Sequence, residues 1–227
     1  MATFGKLGSM GAGHDFDGAT PPTVAAFDVD LTLTRRDCVV PFLREVAGWR
    51  WYVGLLRRVV PLSVAVVRRD RDAVKGIVTA AAVAGRSESN VESVAERFAS
   101  RVFPDWLRPD TVQRLRWHRE QGHRVVLVSA SYRPYLEHLA RLLGCDDVLA
   151  TEIEVGSSGS CTGRLRGRNC RGQEKERRLR DWMSSRGLLG ARVFAYGDSS
   201  GDDEMLAMAT VPVRVGRDPI SPVPVAA

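Results

Sequence analysis

Three short, uninterrupted apolar runs constrain the fold of this chain more than any other feature. They cover residues 24–27, 125–128 and 193–196. Consecutive apolar side chains, as opposed to alternating ones, are typical of strands that are buried on both faces of a parallel sheet. Predicted helices at residues 111–120, 134–143 and 174–186 follow or separate these runs. The alternation predicts an α/β fold, a doubly wound, Rossmann-like parallel sheet.

Two regions depart from that alternation. Residues 38–105 contain no strand pattern and predict helices at 39–46, 51–69, 71–84 and 87–102. Because this stretch follows the first strand directly, we interpret it as a helical insertion into the α/β core. Residues 151–155 and 161–165, joined by a Gly/Ser turn, predict a strand hairpin.

The composition is that of an ordinary globular protein. The 227 residues are 44% hydrophobic and 26% charged, which suits one main domain with a smaller insertion. Residues 1–22 predict a disordered leader and residues 217–227 a flexible tail. The N-terminal residues lack the pattern of a signal peptide, and the four cysteines contain no CxxC pair. We therefore expect a cytoplasmic protein without a zinc site.

The formal net charge of +6 admits several kinds of partner. Nucleic acid, an anionic membrane or a phosphorylated substrate would each suit it, as would arginines scattered over a solvated surface. Lysine is rare, since Lys6, Lys75 and Lys175 are the only lysines among the 33 basic residues. Any lysine in this chain is therefore unusual.

Polar residues follow each apolar run. These segments are Asp28-Val29-Asp30-Leu31-Thr32, Ser129-Ala130-Ser131, and the stretch from Gly197 to Asp203. Parallel sheets bind ligands at the carboxyl ends of their strands, so these groups should meet at one edge. Clustered carboxylates repel each other, and Mg²⁺ is a natural counter-charge. Lys175 is either a second counter-charge or a solvated helix residue.

Taken in chain order, these segments resemble the motifs of the haloacid dehalogenase superfamily. Its motifs are DxDx[TV] (Asp28 to Thr32), a Ser or Thr after a strand (Ser129), a lysine (Lys175) and GDxxxD (Gly197 to Asp202). The resemblance covers residues 23–215 and is greatest to the phosphoserine-phosphatase-like subgroup, subfamily IB. It implies a core of residues 23–37 and 106–216 and a helical cap of residues 38–105. Two departures are Leu31, where many members have Gly, and Gly201, where phosphoserine phosphatases often have Asn.

The resemblance also implies a mechanism, Mg²⁺-dependent hydrolysis of a phosphomonoester through an aspartyl-phosphate. It makes Asp28 the nucleophile and Asp30 the general acid and base. Asp37 either contacts the substrate or caps a helix that begins near Cys38. The implied metal ligands are Asp28, the backbone carbonyl of Asp30, and Asp198, with Asp202 as a further or water-mediated ligand. The implied phosphate- and substrate-binding residues are Thr32, Ser129, Ala130, Lys175 and Asp37.

The substrate class stays open at this stage. Phosphoserine, a lipid phosphate of the phosphatidylglycerophosphate type and another small phosphomonoester are all compatible with the motifs, as is phosphoryl transfer to an acceptor other than water. Aromatic residues and arginines surround the apolar run 59–67, which forms either the insertion's own core or a surface for peripheral membrane contact. A nucleic-acid-binding protein is disfavoured, because the arginines are spread along the chain and no such motif is present.

Overall fold

The structure is a computed structural model that describes residues 21–221. Its six strands form one sheet in the order β4-β3-β2-β1-β5-β6. The strands are β1 (Thr23–Phe27), β2 (Arg124–Tyr132), β3 (Asp147–Val155), β4 (Cys161–Arg166), β5 (Arg192–Gly197) and β6 (Val211–Arg214). All neighbouring pairs are parallel except β3 with β4, which are antiparallel. The predicted parallel α/β fold is confirmed.

The helices fall into a group that follows β1 and a group that alternates with the later strands. The first group is α1 (Val39–Ala47), α2 (Arg50–Leu56), α3 (Val59–Val67), α4 (Arg71–Val83) and α5 (Glu88–Asp105). The second is α6 (Pro109–Glu120), α7 (Arg133–Leu143), α8 (Gln173–Ser185) and α9 (Asp203–Ala207). In the part of the chain that the structure describes, no helix is long and apolar enough to cross a membrane.

The central position of β1 in the sheet explains why its side chains are apolar without interruption. Along β1, Ala25 and Phe27 belong to the core on one face of the sheet, and Val24 and Ala26 to the core on the other. Successive side chains of a strand point to opposite faces, so a strand covered on both sides must be apolar throughout. The uninterrupted run therefore reflects a sheet that carries helices on both faces.

Local signals set most helix boundaries, but one expected helix is divided in two. Ser87 accepts a hydrogen bond from Asn90 N at the start of α5, as the predicted helix start required. The helix expected over residues 51–69 ends at Leu56, and a new one begins at Val59. Pro61 is the reason, because it has no N–H to donate to the Arg57 carbonyl and its ring would clash with that group.

The end of the chain adds elements that the sequence did not predict. Helix α9 and strand β6 follow the GDxxxD segment, and β6 pairs with β5 at the sheet edge. The start of the expected flexible tail packs against α6, where Ile220 N donates to Asp110 Oδ2 at 3.0 Å. The other residues of that tail, 222–227, and residues 1–20 of the expected leader lie outside the described residues.

Candidate active site

The site begins where β1 ends. The Asp28 N–H donates to the carbonyl of Tyr196 on β5 at 2.9 Å, which prolongs the strand pairing by one residue. The carboxylate of Asp28 is buried, and its Oδ2 accepts a hydrogen bond from the Thr32 hydroxyl at 3.2 Å. Between them the chain turns through Leu31, whose φ of 61° lies in the left-handed region that favours glycine. The turn thus brings Thr32 back to hold the Asp28 side chain.

Lys175 joins two carboxylates at the centre of the site. It lies in the first turn of α8, and its Nζ donates to Asp28 Oδ1 at 2.6 Å and to Asp202 Oδ1 at 2.5 Å. All three side chains are buried. Burial alone lowers the pKa of Lys175, but Asp28 and Asp202 outweigh it and raise this pKa above its usual value. Lys175 is therefore a buried, charged group and not a solvated helix residue.

Three carboxylates form a candidate cation site beside Lys175. Oxygens of Asp28, Asp198 and Asp202 all lie within 4.8 Å of one another. Burial raises the pKa of Asp198 to about 6, and the charges of Asp28 and Asp202 act in the same direction. An all-oxygen set of partly buried carboxylates matches the ligands that Mg²⁺ prefers, so these residues fit the predicted metal. The structure brings together three of the four predicted metal ligands through their side chains.

The fourth predicted ligand, Asp30, would contribute its backbone carbonyl, and its side chain makes other contacts. Asp30 Oδ1 accepts from the Cys38 N–H at 2.8 Å, and its Oδ2 accepts from the Ser131 hydroxyl. Burial raises the pKa of Asp30 to about 7, with smaller contributions in the same direction from Asp37 and Asp28. A carboxyl with a pKa near neutrality is suited to giving and taking a proton.

Strand β2 carries an irregularity that shapes the next part of the site. Its register with β3 shifts between Ser129 and Tyr132, so the backbone at Ala130 departs from regular pairing. The Ser129 side chain is buried at this point and lines the cavity with Lys175. The Ala130 carbonyl accepts a hydrogen bond from the Thr151 hydroxyl at 2.8 Å. Both predicted phosphate-binding residues of β2 therefore lie at the same cavity as Asp28.

Helix α4 of the insertion closes one side of that cavity, whose volume is about 660 Å³. Its contacts with the core come from one face of the helix. The Lys75 ammonium donates to the Ala130 carbonyl, the Thr79 hydroxyl lies 2.6 Å from the Tyr132 hydroxyl, and Asp72 Oδ1 accepts from Asn169 Nδ2 at 2.9 Å. Four residues of the cavity were not predicted from the sequence: Lys75, Arg71, Asn169 and Arg171. Ser131, which belongs to a predicted polar segment, was not assigned a role there. The rarity of lysine was the available signal for Lys75.

Asp37 shows one of the two roles that the sequence left open, that of a helix cap. Its Oδ1 accepts from the N–H groups of Val39 at 2.9 Å and Val40 at 3.3 Å, so it caps the start of α1. The same residue is exposed and lines the cavity. The helix-capping interaction is present, and a contact with substrate stays a prediction.

Residues 25–207 match the family of haloacid dehalogenase-like hydrolases. The chain belongs to this family. Among the relatives of this HAD hydrolase, protein CicA from Caulobacter vibrioides is 39% identical over 83% of each chain. The phosphoserine phosphatase of Streptococcus thermophilus is 28% identical over 85% of this chain and 83% of its own.

The likeness extends to solved structures. A protein of unknown function from Bordetella pertussis Tohama I superposes with a TM-score of 0.67 at 25% identity, over 86% of this chain and 90% of that one. The family match and the phosphatases among the relatives confirm the predicted family and its phosphoserine-phosphatase-like character. They also confirm the predicted enzyme class, a phosphatase. The alternative of a protein that only binds anions is thereby set aside.

Proposed function

We propose that this HAD hydrolase is a Mg²⁺-dependent phosphomonoester hydrolase that acts through an aspartyl-phosphate. The observation that carries the proposal is the buried contact of Lys175 with Asp28 and Asp202, next to Asp198. This arrangement sets one nucleophilic carboxylate between a fixed positive charge and a candidate cation site. Such preorganised charges favour transfer of a dianionic phosphoryl group.

In the first proposed step, Asp28 attacks phosphorus and the bond to the ester oxygen breaks. Asp30 in its neutral form gives its proton to the departing oxygen, so that an alcohol leaves and an aspartyl-phosphate remains. Ser129 and Lys175 hold the phosphoryl oxygens as charge spreads over them. The Thr32 hydroxyl keeps Asp28 oriented for attack.

In the second proposed step, Asp30 acts as a base. Now ionised, it takes a proton from a water molecule that attacks phosphorus, and inorganic phosphate departs as the Asp28 carboxylate is restored. The pKa of about 7 suits Asp30 to both roles at neutral pH. Mg²⁺ would be held by Asp28, Asp198 and Asp202 and would neutralise charge on the phosphoryl group.

Two substrate classes are supported by different residues of the cavity. The positive side chains of Arg71 and Lys75 suit a substrate with a second anionic group, such as phosphoserine, which the names of several relatives contain. The apolar side of the cavity suits the organic part of a lipid phosphate. It is formed by Val39, Val40, Pro41, Val74 and Val78. Phosphoryl transfer to an alcohol would use the same residues, and a cytoplasmic location stays a prediction.

The test is phosphate release from phosphoserine, sugar phosphates, p-nitrophenyl phosphate and a lysophosphatidic acid, with Mg²⁺ and with EDTA. We expect Mg²⁺-dependent release that falls roughly 10³-fold or more in Asp28→Asn. The matched control is Asp181→Asn, an exposed carboxylate on α8, which should keep wild-type rates. Acid-quenched wild-type enzyme should carry a phosphoryl group on the peptide that contains Asp28.

Activity that survives in Asp28→Asn within a few-fold would overturn the nucleophile assignment. Release that is equal in EDTA would overturn the metal assignment. Added alcohols that accept the phosphoryl group in place of water would establish phosphoryl transfer.

A further inference from the structure

Helix α3 exposes apolar side chains that a folded chain normally buries. Its sequence, VVPLSVAVV, has apolar side chains on every side, yet Ala65 is its only fully buried residue. Val60, Val66 and Val67 are 70%, 57% and 82% exposed. A helix that is apolar all round usually lies inside a core or a membrane. The apolar surface of α3 thus calls for a partner outside residues 21–221.

The preceding helix also exposes apolar side chains. Tyr52 and Leu56 of α2 and Trp49, the residue just before it, are spaced three and four residues apart, which places them on one side of the helix. Each of them is more than half exposed. We define the apolar face as these three residues together with the exposed valines of α3, Val59, Val60, Val64, Val66 and Val67. Scattered exposed apolar residues are ordinary, but eight of them on two successive helices indicate an interaction surface.

The apolar face lies in a part of the chain whose charged residues are all basic. Residues 46–69 contain five arginines and no Asp or Glu, a local charge of +5 in a chain of net charge +6. These arginines are Arg50, Arg57, Arg58, Arg68 and Arg69. Within residues 21–221 none of them forms a salt bridge. Their charge is therefore free to act on a partner.

We propose that the apolar face docks the protein on an anionic lipid bilayer. Arginines suit the phosphates of anionic headgroups, and Trp and Tyr side chains favour the boundary between headgroups and acyl chains. Helix α3, with nine residues, lies in the plane of that boundary. A second copy of the chain would bring +5 against +5, and a nucleic acid would leave the valines in water. Of these three partners, only the bilayer satisfies both the charge and the apolar area.

Docking would also place the candidate active site beside the membrane. Helix α3 leads through residues 68–70 directly into α4, and Arg71, Val74 and Lys75 of α4 line the catalytic cavity. The cavity wall thus begins one short turn after the docked helix ends. The docking surface goes beyond the proposed reaction and stands independently of which phosphomonoester is hydrolysed.

The test is sedimentation of the full chain with vesicles. One set contains phosphatidylcholine alone, and the other contains about one third phosphatidylglycerol. We expect binding to the anionic vesicles only. Arg57→Gln with Arg68→Gln should weaken it about 30-fold, because each arginine near such a surface contributes about 1 kcal/mol. Val66→Ser with Val67→Ser should weaken it about tenfold.

The matched control variants remove the same kinds of side chain, arginines and an apolar residue, from other parts of the protein surface. Arg97→Gln with Arg116→Gln removes two exposed arginines of α5 and α6, and Leu189→Ser removes a leucine that is 64% exposed. Both should bind the vesicles as the wild type does. Hydrolysis of p-nitrophenyl phosphate in solution should be unchanged in every variant, which separates docking from catalysis.

No binding to anionic vesicles would overturn the proposal. So would equal weakening by the control variants, since binding would then depend on overall charge and not on this face. Dimer formation that Val66→Ser with Val67→Ser abolishes would assign the apolar face to a second copy instead.

Discussion

The ammonium group of Lys75, on the helical insertion, donates a hydrogen bond to the carbonyl of Ala130, which follows the candidate phosphate-binding residue Ser129. The same group lies 4.5 Å from the centre of the Tyr132 ring. A cation from the insertion is thus fixed against the irregular end of β2, inside the catalytic cavity. Since burial lowers the pKa of Lys75 to about 8, its charge is retained at neutral pH at a cost in stability.

Replacing Lys75 with methionine should therefore make the protein more stable and less active. At pH 7 we expect the free energy of unfolding to rise by about 3 kcal/mol, because no charge remains to be buried. The gain should shrink as the pH rises from about 8 to 10.5, where the folded wild type loses the proton first. Chemical denaturation at pH 7 and 10, and KM for anionic substrates, measure the two effects.

Arg71→Met is the matched control for Lys75→Met. Arg71 lines the same cavity but is exposed, so its removal should leave the free energy of unfolding unchanged. A loss of stability in Lys75→Met at pH 7 would contradict the idea that the charge is held at a cost.

Asp30→Asn should slow the reaction in a way that depends on the leaving group. Loss of a general acid typically costs about 10²–10⁴-fold in rate. For an alkyl phosphate the departing alkoxide needs the proton of Asp30, whereas p-nitrophenolate leaves without one. The first step should therefore suffer less with p-nitrophenyl phosphate, as single-turnover kinetics would show. An equal loss with both substrates would argue against proton donation by Asp30.

Gly197→Ala should disable the site through a steric contact. A Cβ at Gly197 would lie 2.5 Å from the Cβ of Asp202, which accepts from Lys175 and belongs to the candidate cation site. We expect a loss of activity and weaker stabilisation by Mg²⁺ in thermal unfolding. Gly76→Ala, in the middle of α4 with open space around it, should instead stabilise the protein by about 1 kcal/mol.

His118 should make a destabilising contribution at mildly acidic pH, opposite in sign to that of Asp30 and Asp198, whose raised pKa values favour the folded protein as the pH falls. The buried His118 side chain lies 2.8 Å from the Tyr196 hydroxyl, and burial lowers its pKa from 6.5 to about 3. Below pH 6.5 this histidine binds a proton in the unfolded chain but not in the folded protein, so its contribution to stability falls as the pH falls. Between pH 7 and 5 we expect a loss of about 2 kcal/mol from this residue.

Urea unfolding of the wild type and His118→Asn at both pH values measures this loss. The variant should be less stable than the wild type at pH 7, and this difference should shrink on acidification. Parallel pH profiles for the wild type and His118→Asn would refute the assignment.

The sequence was most informative where one physical rule decided the outcome. Strand β1 is buried on both faces, so its apolar run could have no other role, and the same holds for β5. Strand β6 was not predicted, since its four residues alternate in burial, include Pro212 and gain their structure from pairing with β5. The sequence prediction ran one helix through residues 51–69 and did not take account of Pro61. This proline separates α2 from α3.

The residues of the candidate site also fall into those that the sequence predicts and those that it does not. Asp28, Ser129 and Asp198 each follow an apolar run that could be recognised locally, so their meeting at one edge could be expected. Lys75 and Asn169 reach the cavity only because α4 folds back over the sheet. No local pattern encodes that contact, and it becomes visible only when the packing of the insertion is known.

The strand order also has a consequence during synthesis on the ribosome. β2 pairs with one edge of β1, but the other edge of β1 is paired only by β5, at Arg192–Gly197. Until that segment has been translated and has left the exit tunnel, the apolar strand Thr23–Phe27 keeps an open edge. A growing chain is thus exposed to aggregation for most of its translation, and a transcript truncated before β5 would yield a substrate for chaperones and proteases.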